Sequence, residues 1–197
     1  MIASPPKLIL ASGSPRRSDL LGEAGYDFTV VKPDVEEVED AAIPIRELTA
    51  LNAKLKGDAV AQSHPDTVVL AADTLVLLGD TVFGKPVDAA DARRMLSELN
   101  GNTHQVFTAV AMIHTASGEL RELSVATDVV FKTLSNAEMA DYHALIDPMD
   151  KAGAYAAQEY GELIVEKISG SMTNVIGLPM DEVVDALAAE FGITPMV

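Results

Sequence analysis

The chain has 197 residues, 48% hydrophobic and 22% charged, with 30 acidic against 14 basic side chains and a formal net charge of -16. Such a chain can bury a core without staples, and its acidity argues against extended contact with DNA or RNA phosphates. Cysteine is absent, which excludes a disulfide framework, a thiolate metal site and a cysteine nucleophile and fits a reducing cytoplasm. The start "MIASPPKLILASGS" shows no basic region ahead of a long apolar run, so no secretory signal is expected. The most apolar stretch, "TVVLAADTLVLLGD", is broken by Asp73 and Gly79 and is too short to span a membrane. A cytoplasmic protein without membrane or nucleic-acid partners is expected.

In chain order, "KLILA" at 7–11 reads as a buried strand. Ser12 and Gly13 turn the chain, Ser14 stands as an N-cap and Pro15 opens a helix that Gly25 closes. "DFTVV" at 27–31 is the next strand, followed by an acidic loop holding Asp34, Glu36, Glu37, Glu39 and Asp40. A long helix is predicted from about Pro44 to Gln62, with Ile45, Leu48, Leu51, Leu55 and Val60 near helical spacing. "TVVLAADTLVLL" gives one strand, or two joined at Asp73, and Gly79-Asp80 turns into "TVFGKP". Asp88 caps a helix through Leu99, and "HQVFTAVAMIHT" and "ELRELSVATDVVFKTL" are two long strands around "ASGE". Ser135 and Glu138 form a capping box for a helix to Leu145. "DKAGAYAAQEYG" is turn-rich, "ELIVEKISG" a strand, "SMTNVIG" a loop and "LPMDEVVDALAAEFG" a final helix. Alternating strands and helices followed by paired strands predict an α/β fold: a mixed, twisted sheet with flanking helices, in one domain over 1–197 with two lobes.

Several stretches point toward chemistry. "GDTVFGKP" at 79–86 matches the first seven positions of a P-loop, but Pro86 stands where Ser or Thr must reach magnesium, and the context is a hairpin. "SGSPRR" places amide groups and two guanidinium groups at a helix start directly after a buried strand, where α/β sheets bind ligands. The other reading is a surface helix with solvated arginines. Asp73 interrupts the most apolar stretch; a buried carboxylate is costly unless paired or metal-bound, so it is a base or a metal ligand, or else a strand-end turn residue. Glu36 and Glu37 read as a solvated loop, Lys54 as a surface lysine. "DKAGAYAAQ" sets small residues around Tyr155 and Gln158, whose amide could read one edge of a base; alone it is a plain turn. The four histidines, at 64, 104, 114 and 143, lack zinc-site spacing.

Taken together, "LILASGSPRRSDLL", "AADTLVLL", "FGKPVDAADARRMLSELNG", "HQVFTAVA", "DKAGAYAAQ" and "VEKISGSMTNVIGLP" resemble the Maf family of nucleoside triphosphate pyrophosphatases, also known as septum formation inhibitors, from Leu8 to about Leu187. The resemblance implies an elongated α/β fold similar to that of inosine triphosphate pyrophosphatases, with a cleft between lobes. It implies cleavage of a nucleoside triphosphate to monophosphate and pyrophosphate with a divalent metal, Mg2+ or Mn2+. A homodimer is a form the family allows.

Carried over by motif, Asp73 falls at the proton acceptor and Glu37 at the acidic-loop position tied to catalysis or metal binding, so both are implied metal ligands. Ser12, Arg16, Arg17, Lys54 and Lys85 fall at or beside phosphate-contacting positions, and Arg17, Thr74 and Gln158 at positions tied to base choice. "SPRR", "ADT" and the Gln resemble the branch acting on dTTP and UTP; the branch preferring 7-methyl-GTP typically has Trp after the Pro. Two departures lie near the implied base pocket: Ala156-Ala157, where the branch often has Gly-Ile, and Met172, where it often has an aromatic residue. The implied function is hydrolysis of dTTP and UTP, or modified pyrimidine nucleotides. The alternative is a nucleotide-binding regulator of cell division with little turnover.

Overall fold

Aliphatic runs build the sheet. In the computed structural model, which describes residues 6–40 and 42–196, Lys7–Ala11 forms β1, Phe28–Val30 forms β2 and Thr67–Leu78 forms β3. β1 is parallel to both others, with Leu10 opposite Val30 on one side and Leu70 on the other. Parallel strands are covered on both faces and need continuous apolar sequence, which "LILA" and "VVLAA" supply. Asp73 does not break β3, which runs through it as a single strand. Thr81–Phe83 forms β4, antiparallel to β3. Thr103–His114, Glu119–Phe131 and Val165–Ser169 form β5, β6 and β7. The strand order is β2-β1-β3-β5-β6-β7, with β4 paired to β3 and β7 antiparallel to β6. The sheet is therefore mixed, as the sequence predicts.

The helices are α1 Pro15–Glu23, α2 Ile45–Ala61, α3 Ala89–Leu99, α4 Asn136–His143, α5 Gly161–Ile164, α6 Met172–Ile176 and α7 Met180–Phe191. Local capping chemistry sets several ends. The Asp88 carboxylate accepts from the Ala90 and Asp91 amides. Ser135 and Glu138 make the reciprocal capping box at the start of α4. Two elements differ from the sequence reading. "ELIVEKISG" is not one strand: Tyr160 takes a left-handed conformation at φ 56 and starts α5, and pairing with β6 begins only at Val165. "SMTNVIG" is not a bare loop: the Ser171 hydroxyl accepts from the Asn174 amide at 3.2 Å, and the buried Asn174 side chain donates to the Val106 carbonyl at 3.0 Å, closing α6. Among the described residues, no helix is long and apolar enough to cross a membrane.

The chain divides into two compact units. The first takes the described residues up to Asp73, Thr108–Val125 and the chain from Gly177 onward; the second takes Thr74–Phe107 and Ala126–Ile176. Each has its own core. Ile9, Val60, Val69, Ala71 and Ile113 pack together in the first; Phe83, Leu96, Leu99, Phe131, Tyr142 and Tyr155 do so in the second.

The inner face of α2 departs from the apolar stripe read in the sequence. Leu51 is exposed, whereas Leu48, Thr49, Asn52, Ala53, Lys56, Gly57 and Val60 are buried. Ala53 meets Ala109 and Ala111. A Cβ at Gly57 would stand 2.8 Å from the Ile113 side chain and 3.4 Å from that of Ala71. Small residues thus bring the helix close to the sheet, and two polar side chains ride inward with them.

The second core contains His104, which packs edge-on against Phe131 at 4.6 Å and Tyr155 at 5.4 Å between ring centres. Its Nε2 pairs with the Tyr155 hydroxyl at 2.9 Å, and its Nδ1 is buried without a hydrogen bond among the described residues. Burial lowers its pKa to about 4, so the folded protein holds a neutral ring. The unfolded chain binds the proton first, from about pH 6.5 downward. Stability contributed by the neutral ring is therefore full above about pH 6.5 and lost as pH falls toward 4, by about 3 kcal/mol in all. Urea unfolding at pH 7 and pH 4.5 should show this slope reduced in His104→Phe, whatever that variant's baseline. An identical slope in the variant would assign the acid lability to carboxylates instead.

Candidate active site

The turn between β1 and α1 carries the first group of site residues. Ser12 is buried, and its hydroxyl accepts from the Ser14 amide at 3.1 Å and from Arg17 Nη1 at 3.4 Å. Arg17 Nε donates to the Gly177 carbonyl at 2.9 Å. Ser14 holds the cap position, but its side chain makes no capping bond, and Pro15 follows as the first helical residue. The cap side chain that commonly takes the first amides of a helix is thus not engaged here. A helix start of this kind, with Arg16 and Arg17 on its first turn, favours an anion.

The second group is built on the inner face of α2. Lys56 is buried, and its Nζ donates to Asp73 Oδ1 at 2.7 Å and pairs with Glu37 Oε1 at 2.9 Å. One turn earlier, the Asn52 side chain accepts from the Val38 amide at 2.8 Å and donates to the Val38 carbonyl at 3.1 Å. That two-way clamp holds the irregular acidic loop at the residue next to Glu37. Asn52 and Lys56, four positions apart on one helix face, thus deliver a loop carboxylate and a strand carboxylate to the same ammonium group.

Asp73 is buried in β3, and its Oδ2 has no hydrogen bond among the described residues. Desolvation raises its pKa above the ordinary carboxylate value; Lys56 opposes this, Glu37 adds to it and Arg17 opposes it. Arg17 is affected in the converse sense. Burial lowers its pKa, Asp73 and Glu37 raise it, and Arg16 lowers it; a guanidinium nevertheless keeps its proton in proteins. Ser12, Arg17, Glu37 and Asp73 therefore share one electrostatic environment in the first unit, with Lys56 among them.

The other predicted residues stand as follows. Arg16 is partly buried on α1. Lys54 is half-exposed and paired with Asp58 on α2; the lysine that reaches Asp73 is Lys56, which the sequence analysis does not single out. Thr74, Lys85 and Gln158 belong to the second unit. Thr74 follows Asp73 in β3 and is partly buried. Lys85 is exposed after β4, and Gln158 is exposed after the turn-rich segment.

Among the described residues, no cluster of three or more His, Cys, Asp or Glu side chains could hold a metal ion. Mg2+ does not need one, since it keeps several waters and is commonly bound by one or two carboxylates plus substrate phosphates. Asp73 and Glu37, brought together at Lys56, are a pair of carboxylates that fits that donor set.

The ion pair also governs stability. Lys56→Met should destabilise the protein by about 3–5 kcal/mol, because it strands a buried carboxylate. Adding Asp73→Asn to Lys56→Met should recover much of that loss in denaturant unfolding. Equal losses in the single and double variants would show that the two side chains are not coupled.

A family model described as Maf-like protein matches residues 7–190. A dTTP/UTP pyrophosphatase of Akkermansia muciniphila is 46% identical over 182 residues, 92% of this chain and 95% of that protein. One of Vibrio parahaemolyticus is 43% identical over 185 residues, 93% of this chain and 96% of that protein. Among solved structures, the Ham1 protein of Staphylococcus aureus aligns with a TM-score of 0.45 at 16% identity, over 79% of this chain and 90% of that one. With a family match over residues 7–190 and relatives aligned over nearly their whole length, the chain belongs to the Maf family.

Proposed function

We propose that this chain is a nucleoside triphosphate pyrophosphatase acting on dTTP and UTP, which it splits to the monophosphate and pyrophosphate. The observation that carries the reading is Asp73: a buried carboxylate with one oxygen held by Lys56 and the other uncommitted. The names of the similar proteins supply the substrate.

Water is a poor nucleophile and needs a positioned base. Lys56 fixes Asp73 through Oδ1, and burial makes the carboxylate more basic than a solvated one. Oδ2 takes the proton of the attacking water. The Ser12 turn, the start of α1, Arg16 and Arg17 bind phosphate oxygens, and Lys85 of the second unit is assigned to phosphate as well. Asp73 and Glu37 are the carboxylates that would hold a divalent cation, which when bound adds positive charge at the phosphoryl oxygens and the leaving pyrophosphate. Glu37 reaches the site because Asn52 clamps its neighbour. Base choice falls to Gln158, with Thr74 and Arg17 in support. A cytoplasmic location belongs to the same reading, since a chain without cysteine suits a reducing compartment.

Incubation with dTTP and Mg2+, followed by phosphorus NMR, should show pyrophosphate and the monophosphate as first products; orthophosphate with a diphosphate would overturn the reading. Asp73→Asn should remain folded and lose at least about 10²-fold in kcat. Near-normal turnover in that variant would move the base to Glu37.

Uracil and thymine present an N3–H donor flanked by carbonyl acceptors, and a fixed Gln amide matches that edge while leaving polar groups unpaired against cytosine. One unpaired group costs about 1–3 kcal/mol, so dTTP and UTP should exceed CTP by about 5- to 150-fold in kcat/KM. Gln158→Leu should flatten that preference. Full discrimination in the variant would remove Gln158 from the role.

A further inference from the structure

The segment leading to Gln158 is held from one side by α4. Tyr142 is the buried residue of that helix. Its hydroxyl accepts from the Ala156 amide at 2.9 Å and donates to the Ala156 carbonyl at 3.0 Å. A single hydroxyl therefore satisfies both backbone groups of one residue, the task a neighbouring strand would otherwise perform. The adjacent His143 donates from Nε2 to the Ala154 carbonyl at 3.0 Å. Between these two contacts, the Tyr155 hydroxyl pairs with His104 at 2.9 Å.

The backbone so held is an unusual one. Gly153 and Ala154 are both left-handed, at φ 71 and φ 57. Ala154 carries a Cβ in that region, which persists only where surrounding contacts over-determine it. Tyr142 suits this duty chemically. Burial raises its pKa to about 12, so the phenol keeps its proton near neutrality and remains both donor and acceptor. Two residues after Ala156, the chain presents Gln158 to solvent.

We propose that Tyr142 is a positioning residue for base selection: by gripping Ala156 at both backbone groups, it fixes the segment that carries Gln158. The proposal rests on the reading of Gln158 as the side chain facing the base. Hydrogen bonds weaken steeply with small errors of distance and angle, and a recognition group must be held within about 0.5 Å to discriminate. A carboxamide on a slack segment would shift to meet uracil and cytosine alike. Phenylalanine at 142 would keep the ring in the core and release both bonds.

The test compares wild type, Tyr142→Phe, Gln158→Leu and Ser135→Ala. The last weakens the α4 cap without touching the clamp. In each, kcat/KM is measured for dTTP, UTP and CTP, with inhibition by inorganic pyrophosphate as a readout of phosphate binding alone. Tyr142→Phe should lower the dTTP-to-CTP preference at least about fivefold, with CTP gaining relative to dTTP. Pyrophosphate inhibition should be unchanged, and Ser135→Ala should keep the wild-type ratio. A merely structural role would depress all three substrates together; an unchanged ratio in Tyr142→Phe overturns the proposal. If Tyr142→Phe loses the ratio while Gln158→Leu keeps it, Tyr142 stands and only the assignment of Gln158 fails. Hydrogen exchange on the wild type gives a readout independent of any variant's folding. The Ala156 amide should exchange as slowly as the core of the second unit, and exchange at the rate of an open loop would also overturn the proposal.

Discussion

A carboxylate buried in a β-strand must find a cation, and in this protein Lys56 answers Asp73. Removing two such charges from water costs several kcal/mol per ion before their attraction offsets it. The geometry must therefore be tight, and the composition of α2 follows from that requirement. Gly57 and Ala53 bring the helix close to the sheet, which lets a lysine on the inner face reach Asp73. Asn52, one turn away, fastens the acidic loop so that Glu37 meets the same ammonium group. A face that would ordinarily be aliphatic is instead small and polar.

The same arrangement reconciles an acidic chain with an anionic substrate. The formal net charge of -16 is a sum over the whole surface, and solvent ions screen exposed charges beyond about 8 Å at physiological ionic strength. On the proposed reading, what a phosphate group meets is set locally. In the first unit that is the Ser12 turn, the start of α1, and Arg16 and Arg17, with Asp73 and Glu37 already facing Lys56. The carboxylates are partly neutralised before any ligand arrives, so they do not repel it at full strength.

Features carried by neighbouring residues were legible in the sequence. The strand "KLILA", the Asp88 cap and the Ser135–Glu138 box depend on contacts a few residues long, and the structure shows each of them. What depends on distant partners was not legible. The leucines at 51 and 55 suggested the buried stripe of α2, yet the burial is decided by Ala109, Ala111 and Ile113. Lys54, a surface lysine by its spacing and a site residue only by the family resemblance, is half-exposed, whereas Lys56 faces inward to Asp73. The short helix α5 escaped because a left-handed tyrosine leaves no propensity signal. The spacing of Asn52 and Lys56 with Ala53 and Gly57 was the one available clue: two small and two polar residues repeating on one helical face.

The chain segments that make up the two units are interleaved, and this gives synthesis a direction. The second unit ends at Ile176, whereas the first needs the residues from Gly177 onward, including α7. On a ribosome, every residue of the second unit has been made before the first unit has all of its own. The Arg17–Gly177 bond joins positions 160 residues apart, and long-range contacts of that kind form late because the intervening chain must first be ordered. The turn after β1 therefore gains the Gly177 anchor of Arg17 only after the whole of the second unit has been made. A chain released before Gly177 would hold every residue of the Tyr142–Ala156 clamp yet lack the carbonyl that Arg17 meets, so the two units would differ in what a premature stop removes from them.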